Sequence, residues 1–391
     1  MRKQVWGSVG PVVSVVVGLV AGLVAALTLA VPQAGAVELL ARPATVTYDP
    51  VDGTTDVEPG AVVSASVANG SFEKLELAGS DGSTVRGEFD GGRTRWTSTA
   101  PLHYATTYTW RGTARGDDDR AVGLGGSFTT FAPRATMGAG FNVDDDQVVG
   151  VATPVMLRFD GHVADRASVE RALSLSTSVP VEGAWGWLPD EEGRSRVHWR
   201  PRAYWPAGAE VTVSAPLVGV SLGEGVYGAR DLTVRFGIGP AQVVKADVRS
   251  HRMKVFRDGT QVADYPASYG VDSDPQRSTR SGIHVVSETF DQRRMVSRRF
   301  DYDVVMRWAV RISNNGEFIH ANPNTTSEQG RANVSHGCVN LSEADAKAYY
   351  DMVRYGDPVE VTGSAVQLSA RDGDIWDWTL SWQQWRALSA L

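Results

Sequence analysis

The sequence predicts a mostly β protein: two tandem immunoglobulin-like β-sandwich domains, then a third β-rich domain with a short helix, and a Trp-rich C-terminal tail. Three observations carry this. Short β-prone runs such as Val62–Val67 and Thr106–Trp110 alternate with Gly and Asp turns, and convincing helical periodicity is absent before Pro133. That plan repeats once. Trp96, Pro101 and Tyr104 precede Thr107–Trp110, just as Trp199, Pro201 and Tyr204 precede Val211–Val213. The pattern then changes after Gly237-Ile238-Gly239-Pro240.

Taken in order, residues 1–36 read as a signal peptide or a membrane anchor. Arg2 and Lys3 precede an uncharged run from Pro11 to Val31, and Ala34-Gly35-Ala36 fits a signal-peptidase site. The run is long enough to span a bilayer, so an uncleaved N-terminal anchor is the alternative. No Cys lies near it, which excludes a lipid-modified Cys. Residues 41–133 form the first immunoglobulin-like unit, closing on Phe128–Phe131, and 134–239 the second, closing on Leu232–Phe236. The runs Asp117–Asp119 and Asp144–Asp146 lack the spaced ligands of a calcium loop and read as solvated turns.

Residues 241–363 form the third unit. Asp258-Gly259 between Met253–Phe256 and Gln261–Tyr265 is a hairpin signal. Gly282–Val286, Ala309–Ile312 and Val359–Val361 read as strands. Ser342, with Asp345 three residues on, caps a helix whose stripe is Ala348, Tyr349, Met352 and Val353, with Gly356 as its stop. In the tail, 364–391, Trp378, Trp382 and Trp385 lie at helical spacing and suit a short helix docked on a neighbouring domain, with a sugar-stacking surface as the alternative.

A net charge of -7 argues against a nucleic-acid partner. There is one cysteine, Cys338, so no internal disulfide forms. An exported lone thiol is either buried and inert or kept for its chemistry. Its surroundings favour chemistry: Phe318-Ile319-His320, then fourteen residues, then Ser335-His336-Gly337-Cys338-Val339-Asn340. In an extended stretch His336, Cys338 and Asn340 project together. A nearby imidazole removes the thiol proton and stabilises the thiolate as an ion pair. Two bases compete: His336 is adjacent, while His320 arrives from another strand. With no acid beside either, a backbone carbonyl is the candidate orienter. Gly337 lets backbone approach a bound carbonyl, and the N–H groups of Gly337 and Cys338 are candidate oxyanion donors. Two readings compete with this, an inert Cys in a turn and a zinc site, but no fourth ligand for a metal is evident.

His320, the fourteen-residue gap and Ser335–Asn340, with Gly270, Thr279 and Gly282 upstream, resemble the signature of the YkuD-type L,D-transpeptidase family, actinobacterial members with N-terminal immunoglobulin-like domains above all. The resemblance covers about Ala241 to Gly363. It implies an L,D-transpeptidase catalytic domain with Cys338 as nucleophile, His320 as base and the Ala321 carbonyl as its orienter. His336, Gly337 and Cys338 would line the oxyanion hole, with Ser335 and Asn340 in support. It also implies peptidoglycan stem peptides as substrates, a tetrapeptide donor and an acceptor stem amine joined by a 3→3 cross-link, with carbapenems as covalent inhibitors and no metal or organic cofactor. An L,D-carboxypeptidase and a non-catalytic wall-binding scaffold are the alternatives. The chain departs from the family at Arg280, where many members have Pro, and in Glu288–Trp308, which reads as a short, Arg-rich flap whose Arg293, Arg294, Arg298 and Arg299 are candidates to grip carboxylates.

Overall fold

The computed structural model describes residues 41–372 and 375–391. The expected signal or anchor at 1–36 lies outside the described residues. Among these, no helix is long and apolar enough to cross a membrane.

The mostly β reading holds. In the first unit, a sheet ordered Thr45–Asp49, Ser64–Ala68, Arg95–Ser98, Gly87–Phe89 packs on one ordered Thr54–Val57, Ser127–Thr130, Thr107–Gly116, Gly70–Gly79. Between them lies a core that includes Val67, Phe72, Trp96, Trp110 and Phe128. The second unit pairs Ala139–Phe141, Val155–Phe159, Arg194–Pro201 and Gly183–Glu191 against Val148–Val149, Leu232–Ile238, Glu210–Ala215 and Ser174–Thr177. The repeated Trp has a physical role in both. A Cβ on Gly87 would stand 2.1 Å from the Trp96 ring, and one on Gly183 would stand 2.0 Å from the Trp199 ring. In each unit a glycine on the neighbouring strand, diagonal to the Trp, lets its indole lie flat across the strand pair. One element was not anticipated, the helix Arg166–Ala172, capped by Asp165, which accepts from the Ser168 N–H.

In the third unit a five-stranded sheet, ordered Thr260–Pro266, Arg252–Arg257, Gln242–Asp247, Pro358–Thr362, Gly282–Val285, accompanies a four-stranded one, Glu288–Ser297, Tyr302–Arg311, Phe318–Ala321, Val339–Leu341. Val244, Val255 and Val359 of the first sheet meet Val310, Ile319 and Val339 of the second in one core. At roughly 1.5–3 kcal/mol per buried aliphatic side chain, this core is what holds the site's strands in register. The Asp258-Gly259 hairpin forms, with φ of 50° and 80°, the left-handed pair that a right-twisted two-residue turn requires.

Three local expectations change. The helix spans Glu343–Tyr350, so Met352 and Val353 pack on the core from the turn after it. Gly356 is not its stop. It contacts the second unit, where a Cβ would fall 1.5 Å from Thr153 Oγ1. The tail is a 3-10 turn, Asp377–Thr379, and a separate helix, Trp382–Arg386, rather than one continuous helix. Its tryptophans nonetheless converge, with the buried Arg200 guanidinium 4.7, 5.5 and 5.0 Å from the rings of Trp378, Trp382 and Trp385. The tail thereby docks on the second unit, where His198 Nδ1 and Asp377 Oδ1 also meet at 2.9 Å, fully buried. Asn142 Nδ2 donates to Tyr355 Oη (2.7 Å), joining the second and third units, and Trp378 Nε1 donates to the Ala152 carbonyl (2.8 Å), a further tie from the tail to the second unit.

Candidate active site

Phe318–Ala321 and Val339–Leu341 are adjacent parallel strands, with Ile319 opposite Val339 and His320 opposite Asn340. Alternation places Phe318, His320 and Asn340 on one face. The chain enters the second strand through a bend at His336, Gly337 and Cys338. This overturns the expectation that His336, Cys338 and Asn340 share one extended stretch. Gly337 has φ +117°, a conformation that breaks the alternation, and His336 sits exposed at the rim of the cavity that it shares with Cys338 and Asn340. There its ring packs against Phe300 and Tyr302, at centroid distances of 4.7 and 5.4 Å.

His320, Ser335, His336, Cys338 and Asn340 line one cavity of about 240 Å³, together with Met295, Tyr302, Val304 and Met306. The last four were missed in the sequence. They come from the flap, a hairpin of two ten-residue strands, Glu288–Ser297 and Tyr302–Arg311. Met295↔Val304 and Ser297↔Tyr302 are cross-strand pairs, so one face of the hairpin is turned to the cavity. The alternation Tyr302, Val304, Met306 on the second strand was the available signal; the first strand contributes Met295 alone. Of the flap arginines, Arg294 is paired with Asp303.

His320 is 2% exposed, and its Nδ1 lies 2.9 Å from the Ala321 carbonyl. That contact fixes Nδ1 as the protonated nitrogen of the neutral ring and leaves Nε2 free to accept a proton. The Cys338 thiol lies 3.5 Å from the Gly316 carbonyl. Burial pushes the thiol up to about 12, against the Phe318 N–H hydrogen bond that lowers it, and burial pushes His320 down to about 4 against the Ala321 contact. Both shifts disfavour the charged form. Near neutral pH the resting pair is therefore thiol and imidazole, not the ion pair expected from the sequence.

Ser335 Oγ donates to the Cys338 carbonyl (2.6 Å) and accepts from the Gly337 N–H (3.2 Å). The Gly337 N–H, expected as an oxyanion donor, is thus engaged within its own loop. The ladder with the neighbouring strand starts at Val339, which leaves the Cys338 N–H outside it. Thr279 Oγ1 donates to the Gly337 carbonyl (2.8 Å) and accepts from the Gly270 N–H (2.9 Å), so a buried hydroxyl holds the Gly337 peptide in place. Gly270 is required there, because a Cβ would stand 1.9 Å from the Arg277 carbonyl. Asn340 is braced by exchange of backbone hydrogen bonds with Ser268. Among the described residues no cluster of His, Cys, Asp or Glu is arranged to hold a metal ion.

Gly337→Ala provides a test of the bend. The nearest atom to an added Cβ is Glu317 Cγ at 3.5 Å, so there is room, and the cost is conformational. Strain of about 1–3 kcal/mol at this φ is expected to turn the loop and slow acylation of Cys338 by about tenfold or more, with the protein still folded. Acylation rate and thermal unfolding measured together check this, and an unchanged rate would show that the bend does not matter.

The chain matches the bacterial Ig domain family over residues 54–221 and the L,D-transpeptidase catalytic domain family over residues 241–361. It is 51% identical to L,D-transpeptidase 5 of Mycobacterium tuberculosis over 347 residues, covering 88% of this chain and 77% of that protein. L,D-transpeptidase 2 of the same species is 35% identical over 360 residues, covering 88% and 85%. Among solved structures, the LD transpeptidase LdtMt1 in complex with imipenem is 33% identical, covers 57% of this chain and 99% of its own, and has a TM-score of 0.49. The strand pair that brings His320 and Cys338 to one cavity therefore lies in a protein that belongs to the L,D-transpeptidase family.

Proposed function

We propose that this enzyme forms 3→3 cross-links between peptidoglycan stem peptides through a Cys338 thioester. The observation that carries the reading is the shared cavity of Cys338 and His320, with His320 Nδ1 held by the Ala321 carbonyl. As a donor tetrapeptide carbonyl approaches, the sulfur attacks the third residue's carbonyl carbon and the thiol proton passes to His320 Nε2. The Cys338 N–H faces the developing oxyanion. Collapse breaks the amide bond, and His320 gives its proton to the departing D-Ala amine. The side-chain amine of an acceptor stem then attacks the thioester, loses a proton to His320, and the sulfur recovers that proton on leaving. The apolar flap residues exclude water, which favours the amine over hydrolysis.

The same attack opens a β-lactam: sulfur bonds to the carbonyl carbon, the ring C–N bond breaks and the product remains attached. We further propose that the enzyme acts outside the cytoplasmic membrane, exported by its N-terminal segment, where its substrate lies.

Incubation with a carbapenem is expected to raise the intact mass by one inhibitor molecule, on Cys338. A tetrapeptide donor should release D-Ala and, with an acceptor stem present, give a cross-linked dimer. Hydrolysis alone, unchanged by acceptor, would make the protein an L,D-carboxypeptidase. No adduct and no D-Ala release would leave only the scaffold role.

A further inference from the structure

Behind the thiol lies a set of charges that the reaction above does not use. Glu317 is 2% exposed. It lies one residue before Phe318, whose N–H is directed at the Cys338 sulfur. Its Oε1 accepts from the Arg280 backbone N–H (3.0 Å) and meets the Arg280 guanidinium at 3.2 Å. Its Oε2 accepts from Ser313 Oγ (2.9 Å) and lies 3.7 Å from His284 Nδ1. Arg280 Nε reaches on to Asp372 Oδ1 (3.0 Å), in the C-terminal tail. Asp372 in turn accepts from the backbone N–H groups of Asn314 and Asn315 through its carbonyl (3.0 and 3.3 Å). The loop so gripped is the one that presents the Gly316 carbonyl to the thiol.

A carboxylate buried here works against the chemistry, because Cys338 passes through an anionic state that a neighbouring negative charge disfavours. It is tolerable only with a cation beside it. We propose that Arg280, held between Glu317 and the tail's Asp372, is a positioning residue for the thiol step. It neutralises Glu317 beneath the nucleophile and ties the tail to the loop that carries the Gly316 carbonyl. This rests on the reading of Cys338 as the nucleophile. It gives the tail a part in the reaction.

The test is alkylation of Cys338 by iodoacetamide as a function of pH, in the full chain, followed by intact mass. The groups facing the sulfur are His320 and His336 from the strand and bend, Tyr302 from the flap, and Glu317 from behind, with Arg280, His284 and Asp372 one layer further out. Arg280→Met leaves Glu317 uncompensated. The alkylation profile is expected to move about one pH unit upward, a rate loss of about tenfold at fixed pH. Arg280→Lys should restore part of that loss. Glu317→Gln should move the profile downward, and the double variant Arg280→Met/Glu317→Gln should return close to wild type, which a merely structural role would not produce. An unshifted profile in folded Arg280→Met, or a double variant worse than the single, overturns the proposal. Should Arg280→Met not fold, Glu317→Gln decides alone, and an unmoved profile there overturns it. Failure of the nucleophile reading is seen separately, as wild-type protein that forms no carbapenem adduct while its thiol still alkylates.

Discussion

Cys338→Ala is expected to lower D-Ala release from a tetrapeptide donor, and β-lactam adduct formation, to background. That is a loss of at least about 10³-fold, because one sulfur carries every covalent step and no second nucleophile lines the cavity at the same place. The fold should be nearly untouched. The side chain is small and 9% exposed, and its loss removes its contacts to the Gly316 carbonyl and the Phe318 N–H, so unfolding stability should stay within about 1 kcal/mol of wild type. Intact mass after carbapenem treatment, D-Ala release and a thermal melt on one preparation check all three statements. D-Ala release at the wild-type rate from the Ala variant would transfer the chemistry to another residue.

His320→Gln is expected to have the next largest effect, slowing acylation by about 10²–10⁴-fold, the usual range for a lost general base. The signs of the two shifts make the test specific. His320 is pushed down to about 4, so it is neutral, and able to accept a proton, at every pH above that value. Carbapenem acylation of the wild type should therefore hold level across neutral pH and fall only as pH drops towards 4. The Cys338 thiol is pushed up to about 12, so simple alkylation, which reads the free thiolate, should climb about tenfold per pH unit through neutrality without a plateau. In His320→Gln the first profile collapses and the second barely moves. His336→Gln should cost less, because that ring stacks on Phe300 and Tyr302 at the cavity rim, whereas His320 is the one oriented by a backbone carbonyl, that of Ala321. A plateau in wild-type alkylation near pH 7 would restore the thiolate–imidazolium pair.

What could be read from the sequence was whatever depends on near neighbours. The Asp258-Gly259 turn, the Ser342 cap and the strand runs around them are set by residues within a few positions, and the mostly β plan follows from their sum. The spacing from His320 to Cys338, which spans one crossing between adjacent strands, left an inert Cys and a metal site open, and the choice between them came from the family resemblance. What escaped is non-local or conformational. Arg280 meets partners 37 and 92 positions away, Glu317 and Asp372. The cavity wall from the flap depends on which face a hairpin presents. The direction of His336 depends on one φ angle at Gly337, which alternation alone does not reveal. Gly356 looked like a helix stop and is a point of close approach between two units.

The contacts of Ser389 and Ala390 have a consequence for the order in which the second unit can close. Glu170, a buried carboxylate of the second unit, accepts from Trp187 Nε1 (3.0 Å), from Ser389 Oγ (2.5 Å) and from the Ala390 N–H (2.7 Å). Two of those three donors lie some 220 positions downstream. At about 5–20 residues per second, a chain delivered N-terminus first exposes this carboxylate roughly 10–45 s before they arrive. The second unit can assemble its sheets in that interval, but its last acidic group stays wet until the whole catalytic domain has emerged. Final closure of an early domain is thereby coupled to the arrival of Ser389 and Ala390.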